Sequence, residues 1–264
     1  MFNRVSGYGL PDDLLSLRPA DRIASLPLEI QELVQQQSVT AAPLSAAAES
    51  DWPVSVFVPE RYEQNYAYPL IIWFHEDGQN EGQVESVLST VSSQNYCGLG
   101  IQGNLTSSGG GSRCGWNTNA LEYGNVPLTD LLCVTVRRLR RAFHIHSERI
   151  FVAGSGRGAD VALHQLAQTP DWYAGAVLFD PECPRHITEG ISTASLRGKS
   201  LLWTVARTAS SEVLACNVQA VQLIRLAGAE LDVRLTELPI DPESGEMRFV
   251  DHWLLSRMGS EVLV

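Results

Sequence analysis

The sequence has few cysteines and no long apolar run, and each shortage excludes a class of protein. Its 264 residues include five cysteines, scattered and without a C-x-x-C pair, so neither a zinc site nor a dithiol redox centre is expected. No window approaches the roughly 18 consecutive apolar residues of a membrane span, and the start lacks a basic segment followed by an apolar run. We therefore expect a cytoplasmic protein without a membrane partner.

Positive charge is also scarce. The chain has 19 basic against 30 acidic residues, a formal net charge of −11, so no general attraction to nucleic acid or anionic membranes is expected. Hydrophobic residues make up 44% of the chain, which is enough to bury a sizeable core. These counts predict an ordered globular protein with no nucleic-acid partner, no metal and no cofactor.

Two regions of different composition divide the chain. Residues 1–50 are rich in Ala, Ser, Gln and Leu and contain one predicted helix, "SLPLEIQELVQQQ", so they are interpreted as an arm or linker. Residues 51–264 are interpreted as a single domain. The apolar stripe of the arm's helix is expected to dock on this domain, with self-association through the arm as the alternative.

Apolar runs and amphipathic segments alternate through the second region, which is typical of βα units. A helix is expected near "EGQVESVLSTVSS", another starting at Pro127 and a third from about Arg157 to Gln168, whereas "HIH" at 144–146 is expected to form a surface turn before the strand "RIFVA". The pattern predicts a three-layer α/β/α sandwich with a mostly parallel, doubly wound sheet, and ligands then favour the carboxyl ends of its strands.

The stretches "YPLIIWFHEDGQNE" and "RIFVAGSGRGADVALHQLAQTPDWYAGAVLFDP", with the βα run that follows them, resemble the α/β-hydrolase superfamily, in particular its carboxylesterase and polyhydroxybutyrate-depolymerase-like esterases. The resemblance covers residues 52 to the end and implies the α/β-hydrolase fold. It also implies an oxyanion loop at a strand ending in His-Gly. Here His75 is kept but Glu76 replaces the glycine. Arg157, at the start of the helix that follows the strand "RIFVA", is assigned to the same oxyanion-like loop.

The family's nucleophile motif, G-x-S-x-G, is degenerate in this chain. Its flanking glycines match Gly154 and Gly158, so the serine position is Gly156, which has no side chain to attack a substrate. Ser155 is a weak alternative nucleophile, because shifting the motif onto it would put Arg157 in a tight corner that favours glycine.

The other two triad positions are degenerate as well. The resemblance puts the acid at Ser210, and the loop "IDPESGEMRF", where the base is expected, contains no histidine. His252, in the final predicted helix, is a weak alternative base. We therefore expect a catalytically inactive esterase-like protein that binds a small molecule or protein partner or serves in assembly, with a residual serine esterase for small carboxylic esters as the alternative.

The same glycines fit a rival motif. "GSGRGA" satisfies the dinucleotide fingerprint G-x-G-x-x-[GA] through Gly154, Gly156 and Ala159, and Asp180 ends the next strand about 20 positions later, where an acid would bind a ribose. Dinucleotide binding is therefore a third hypothesis, and close packing of helix on strand is the alternative role for the glycines.

Overall fold

The computed structural model describes residues 52–106, 114–182 and 196–258, so the predicted arm at 1–50 lies outside the described residues.

One sheet has seven strands: β1 (Val54–Phe57), β2 (Tyr68–Phe74), β3 (Cys97–Ile101), β8 (Ile145–Ser155), β9 (Gly175–Phe179), β10 (Ser200–Ala206) and β11 (Glu230–Thr236). Their order across the sheet is β1-β3-β2-β8-β9-β10-β11. Every neighbouring pair is parallel except β1 with β3.

Five α-helices, two short strand pairs and two short 3-10 helices (Pro170–Trp172 and Gly245–Met247) complete the described structure. The short strands β4 (Leu105–Thr106), β5 (Cys114–Gly115), β6 (Glu122–Tyr123) and β7 (Val126–Pro127) form two antiparallel pairs. The helices are α1 (Gln83–Val91), α2 (Leu128–Ala142), α3 (Arg157–Gln168), α4 (Ser211–Leu226) and α5 (Arg248–Met258).

Helices cover both faces of the sheet, as the predicted three-layer sandwich requires. Helix α1 connects β2 to β3 in one direction, whereas α2, α3 and α4 connect strands in the opposite direction. Because such crossovers are right-handed, reversing the direction moves the helices to the other face. Two apolar clusters agree with this arrangement: one contains residues of α2, α3 and α4, and the other contains residues of α1 and α5.

The sequence predictions for the individual elements agree well with the structure, with one correction. Helix α3 has the predicted bounds, and α2 begins directly after Pro127. The "HIH" segment was expected to be a surface turn, but β8 already begins at Ile145. The reason is a contact distant in sequence: Ile145 is buried and pairs with Tyr68 beside an irregularity in the register of β2 and β8.

None of the helices in the described part of the chain has both the length and the apolar character needed to cross a membrane.

The start of α3 packs unusually close to the sheet, and two glycines permit this. A Cβ atom on Gly158 would overlap the carbonyl oxygens of Phe74 and His75, and a Cβ atom on Gly154 would overlap the backbone of Gly158. Neither obstacle is a flexible side-chain end, so it cannot move aside cheaply. The two glycines therefore set the distance between the helix and the end of β2.

Replacing Gly158 by alanine tests this close approach. We expect Gly158→Ala to lower the free energy of unfolding by about 2 kcal/mol or more, because overpacking against fixed backbone forces the helix away from the strand. Gly245→Ala is the matched control, since no atom lies within 4 Å of its added Cβ, and a change below about 0.5 kcal/mol is expected there. Urea denaturation measures both, and equal stability of the two variants would contradict the interpretation.

Candidate functional site

The strand order itself marks a candidate site. The chain leaves β2 towards β3 on one side and later returns to place β8 on the other side, so the carboxyl ends of β2 and β8 form a topological switch point, where open α/β sheets bind ligands. The segment His75–Asp77 follows β2, and Gly156 and Arg157 follow β8. The residues singled out from the sequence as a degenerate oxyanion loop and elbow are therefore neighbours.

Gly156 forms a sharp corner between β8 and α3. Its backbone has φ 55° and ψ −124°, a positive φ that costs an L-residue about 1–3 kcal/mol and that nucleophile elbows impose on their serine. Its N–H donates to the Phe179 carbonyl at 2.9 Å, and its own carbonyl accepts from the Ala159 N–H at 3.1 Å. The backbone thus makes a sharp strand-to-helix corner of the kind that a nucleophile elbow requires, with no side chain at its apex.

Ser155, the alternative nucleophile, lies at the end of β8 rather than at the corner. It is 4% exposed and is paired with Phe179 of the neighbouring strand. A nucleophile must reach a substrate from an exposed position on the turn, and the buried position of Ser155 does not provide this.

His75 is fully buried and bonded at both ring nitrogens. Nδ1 donates to the Glu76 carbonyl at 2.8 Å, and Nε2 accepts from the Gly103 N–H at 2.9 Å. Burial lowers the pKa of His75, although the Glu76 carbonyl and the nearby Asp77 act in the opposite direction. The His75 carbonyl accepts from the Trp116 indole at 2.8 Å. The neutral imidazole therefore fastens the loops around the site and has no nitrogen left for a substrate.

Two glutamates, Glu182 and Glu76, lie next to the corner at Gly156. A Cβ atom on Gly156 would lie 3.4 Å from Glu182 Oε1 and 3.8 Å from Glu76 Cβ. Burial raises the pKa of Glu76, and the carboxylates of Asp241 and Glu243 raise it further. Burial and the neighbouring carboxylates therefore disfavour a further negative charge beside Glu76.

One arginine partly offsets this negative charge. The Arg157 guanidinium lies 3.2 Å from Asp77 Oδ2 and 3.3 Å from Glu182 Oε2. Because its charge is shared between two carboxylates, little of it remains for an anion at the corner. Arg157 thus ties the loops after β2 and β9 to the start of α3.

Asp180, the proposed ribose ligand of the dinucleotide hypothesis, is bonded to backbone. Its Oδ1 accepts from the Ala206 N–H at 2.6 Å and its Oδ2 accepts from the Ile240 N–H at 3.0 Å. Burial raises the pKa of Asp180, and these two hydrogen bonds oppose the rise. Its φ of 48° fits a residue held in a fixed turn. The carboxylate joins the last residue of β10 to the loop that follows β11.

The predicted acid and base positions hold no catalytic pair. Ser210 is exposed and caps α4, where its hydroxyl accepts from the Val213 N–H at 3.3 Å. His252 lies on an exposed position of α5, which packs against α1. Among the described residues, no group of three or more His, Cys, Asp or Glu side chains is arranged to hold a metal ion.

Sequence reasoning missed two residues of this site, Asp77 and Glu182. Each lies three positions beyond the end of a strand, so the rule that functional groups gather at strand carboxyl ends was the available signal. The sequence does not show that the two residues are close in space, because their common partner Arg157 is distant from both in the chain.

Solved structures of the same architecture were found, and they define the class: the chain has the α/β-hydrolase fold. A Bacillus cereus carboxylesterase is 20% identical with a TM-score of 0.57, covering 78% of this chain and 94% of that one. A Mesorhizobium loti carboxylesterase is 15% identical with a TM-score of 0.57, covering 81% and 98%. A ferulic acid esterase is 16% identical with a TM-score of 0.58, covering 83% and 96%.

Comparison of the sequence with family models gave no match, and comparison with curated proteins gave none either. The similarity therefore establishes the fold, and the esterase names describe those proteins.

The buried His75 predicts a measurable pH dependence of stability. Because its pKa is lowered on folding, the unfolded chain takes up a proton below about pH 6.5 while the folded chain does not. Stability is then lost as the pH falls from about 6.5 towards the folded pKa, by up to about 1.4 kcal/mol per pH unit. The difference in unfolding free energy between wild type and His75→Gln should shrink over this range.

Urea denaturation at several pH values between 7.5 and 5.5 gives this difference. His252→Gln, which removes an exposed imidazole, is the matched control and should run parallel to wild type. A His75→Gln curve that also runs parallel to wild type would refute the structural role assigned to the neutral imidazole.

Proposed function

We propose that this protein is a catalytically inactive member of the α/β-hydrolase fold class that serves a binding or assembly role. The observation that carries the proposal is Gly156, which has the backbone of a nucleophile elbow, with φ 55° and ψ −124°, and no side chain. Acyl transfer by this fold begins with a serine hydroxyl at that corner. Without it, the geometry that remains has a structural use only.

The surroundings of the corner support the same conclusion. Ester hydrolysis passes through a tetrahedral oxyanion, and removing one stabilising donor costs about 10²–10³ in kcat. Glu182 Oε1 lies 3.4 Å from where a side chain on Gly156 would begin, and Glu76 Cβ lies 3.8 Å from it. The Glu182 carboxylate at this distance would repel the oxyanion, so the electrostatics oppose the reaction that the fold usually supports.

The loops that would carry the acid and base have other uses. Ser210 is a helix cap, and the backbone of Ile240 is tied to Asp180. The segment 237–247 contains no histidine. The alternative of a residual esterase would have to rely on the buried Ser155, and the dinucleotide alternative would have to release Asp180 from both of its backbone partners. The structurally similar esterases give the dinucleotide alternative no support.

Hydrolysis of p-nitrophenyl butyrate by three proteins tests the proposal: wild type, Ser155→Ala and Gly156→Ser. All three should hydrolyse the ester at the rate of the buffer blank. Gly156→Ser has room for its Cβ, which meets nothing closer than 3.4 Å, and the positive φ costs it about 1–3 kcal/mol, so it should fold with reduced stability. It should stay inactive because a serine alone lacks an acid and a base.

Two results would contradict the proposal. Saturable turnover by wild type that Ser155→Ala abolishes would establish the residual esterase. Turnover by Gly156→Ser more than roughly 10³-fold above the blank, the catalysis that enzymes retain after losing their triad, would mean that an acid and a base are present at the site. The Ser155→Ala protein controls for hydrolysis by contaminating esterases.

A further inference from the structure

A second candidate site lies at the opposite end of the sheet. A cavity of about 270 Å³ opens between α2 and the start of β9, and Ile150 and Tyr173 contribute to its lining. Ile150 lies five residues before Ser155 in β8, a distance of roughly 16 Å along a strand. The cavity is therefore remote from the elbow and from its carboxylates.

The floor of the cavity is apolar. Ile72 and Leu132 are fully buried, and Ile150 is 5% exposed. Leu132 and Val136 lie one helical turn apart on the same face of α2, so this face supplies one wall. Apolar walls with a few polar groups at one side are typical of small-molecule sites, and this volume lies near their lower limit.

Two arginines of α2, Arg137 and Arg140, lie at the rim of the cavity. Arg140 donates to the Ser147 carbonyl at 2.9 Å, which anchors it beside the opening. Arg137 is exposed and makes no hydrogen bond or ion pair with any residue that the structure describes. Asp171 also lines the cavity but forms no ion pair with either arginine. In a chain of net charge −11, this rim is a local concentration of positive charge.

An indole borders the same opening. Trp172 lines the cavity and remains 41% exposed, although an aromatic ring of that size is usually buried more deeply. It thus offers apolar surface next to the two guanidinium groups.

We propose that this cavity binds a small organic carboxylate with a compact apolar body. The carboxylate meets Arg137 and Arg140, whose planar guanidinium groups match it with paired hydrogen bonds. The body lies against Val136 and Ile150, which cover the fully buried Ile72 and Leu132, and Trp172 is at its side. The inference does not depend on the proposed inactivity of the elbow, because none of these residues belongs to that site.

Isothermal titration of the full chain with 4-phenylbutyrate tests the site, with 4-phenylbutyramide as the neutral analogue. The acid should bind with a Kd below about 1 mM, more weakly at high salt, and the amide should bind at least about tenfold more weakly. Arg137→Gln should weaken binding of the acid about tenfold, since a charge-assisted hydrogen bond is lost.

Arg141→Gln is the matched control, because it removes the same charge from the same helix at a residue that does not line the cavity. Its Kd should stay within about twofold of wild type. Thermal unfolding verifies that both variants are folded. Equal weakening by the two substitutions, equal binding of acid and amide, or no heat of binding up to 10-fold above the expected Kd would each overturn the inference.

Discussion

The close approach of α3 to the end of β2 is the constraint on which the arrangement of the loops at the carboxyl ends of the strands depends. Gly158 lies against the carbonyl groups of Phe74 and His75, and Gly154 lies against Gly158. To connect β8 to a helix this near, the chain turns sharply at Gly156 with a positive φ. A glycine at that corner avoids the strain that a serine would store there, so Gly156 lets α3 pack close to the sheet without that strain.

Polar groups around this corner are engaged with each other and with backbone. His75 Nε2 connects its loop to Gly103, while Nδ1 bonds to the adjacent Glu76 carbonyl. Asp180 connects the end of β10 to the loop after β11, and Arg157 bridges two carboxylates. In an active site, some of these groups would be available to a substrate, whereas here their hydrogen bonds and ion pairs hold the loops in place.

Periodicity and glycine spacing were enough to predict the layered α/β fold and the bounds of α3, because both follow from contacts near in sequence. The early start of β8 was not predictable, since it depends on Ile145 pairing with Tyr68. The sequence likewise led to Gly156 and Ser210 through motif spacing. It did not lead to the bridge from Arg157 to Asp77 and Glu182, or to the cavity beside Arg137, because these depend on distances between separate elements.

Covalent labelling with a serine-reactive probe tests directly whether the protein lacks an activated serine at the Gly156 corner. The full chain is incubated with an excess of a fluorophosphonate, which reacts with activated serines, and its intact mass is then measured. The mass should stay unchanged, because no described serine combines exposure at the corner with an adjacent base. A stoichiometric adduct that peptide mapping assigns to Ser155, or to another serine at the carboxyl edge of the sheet, would contradict it.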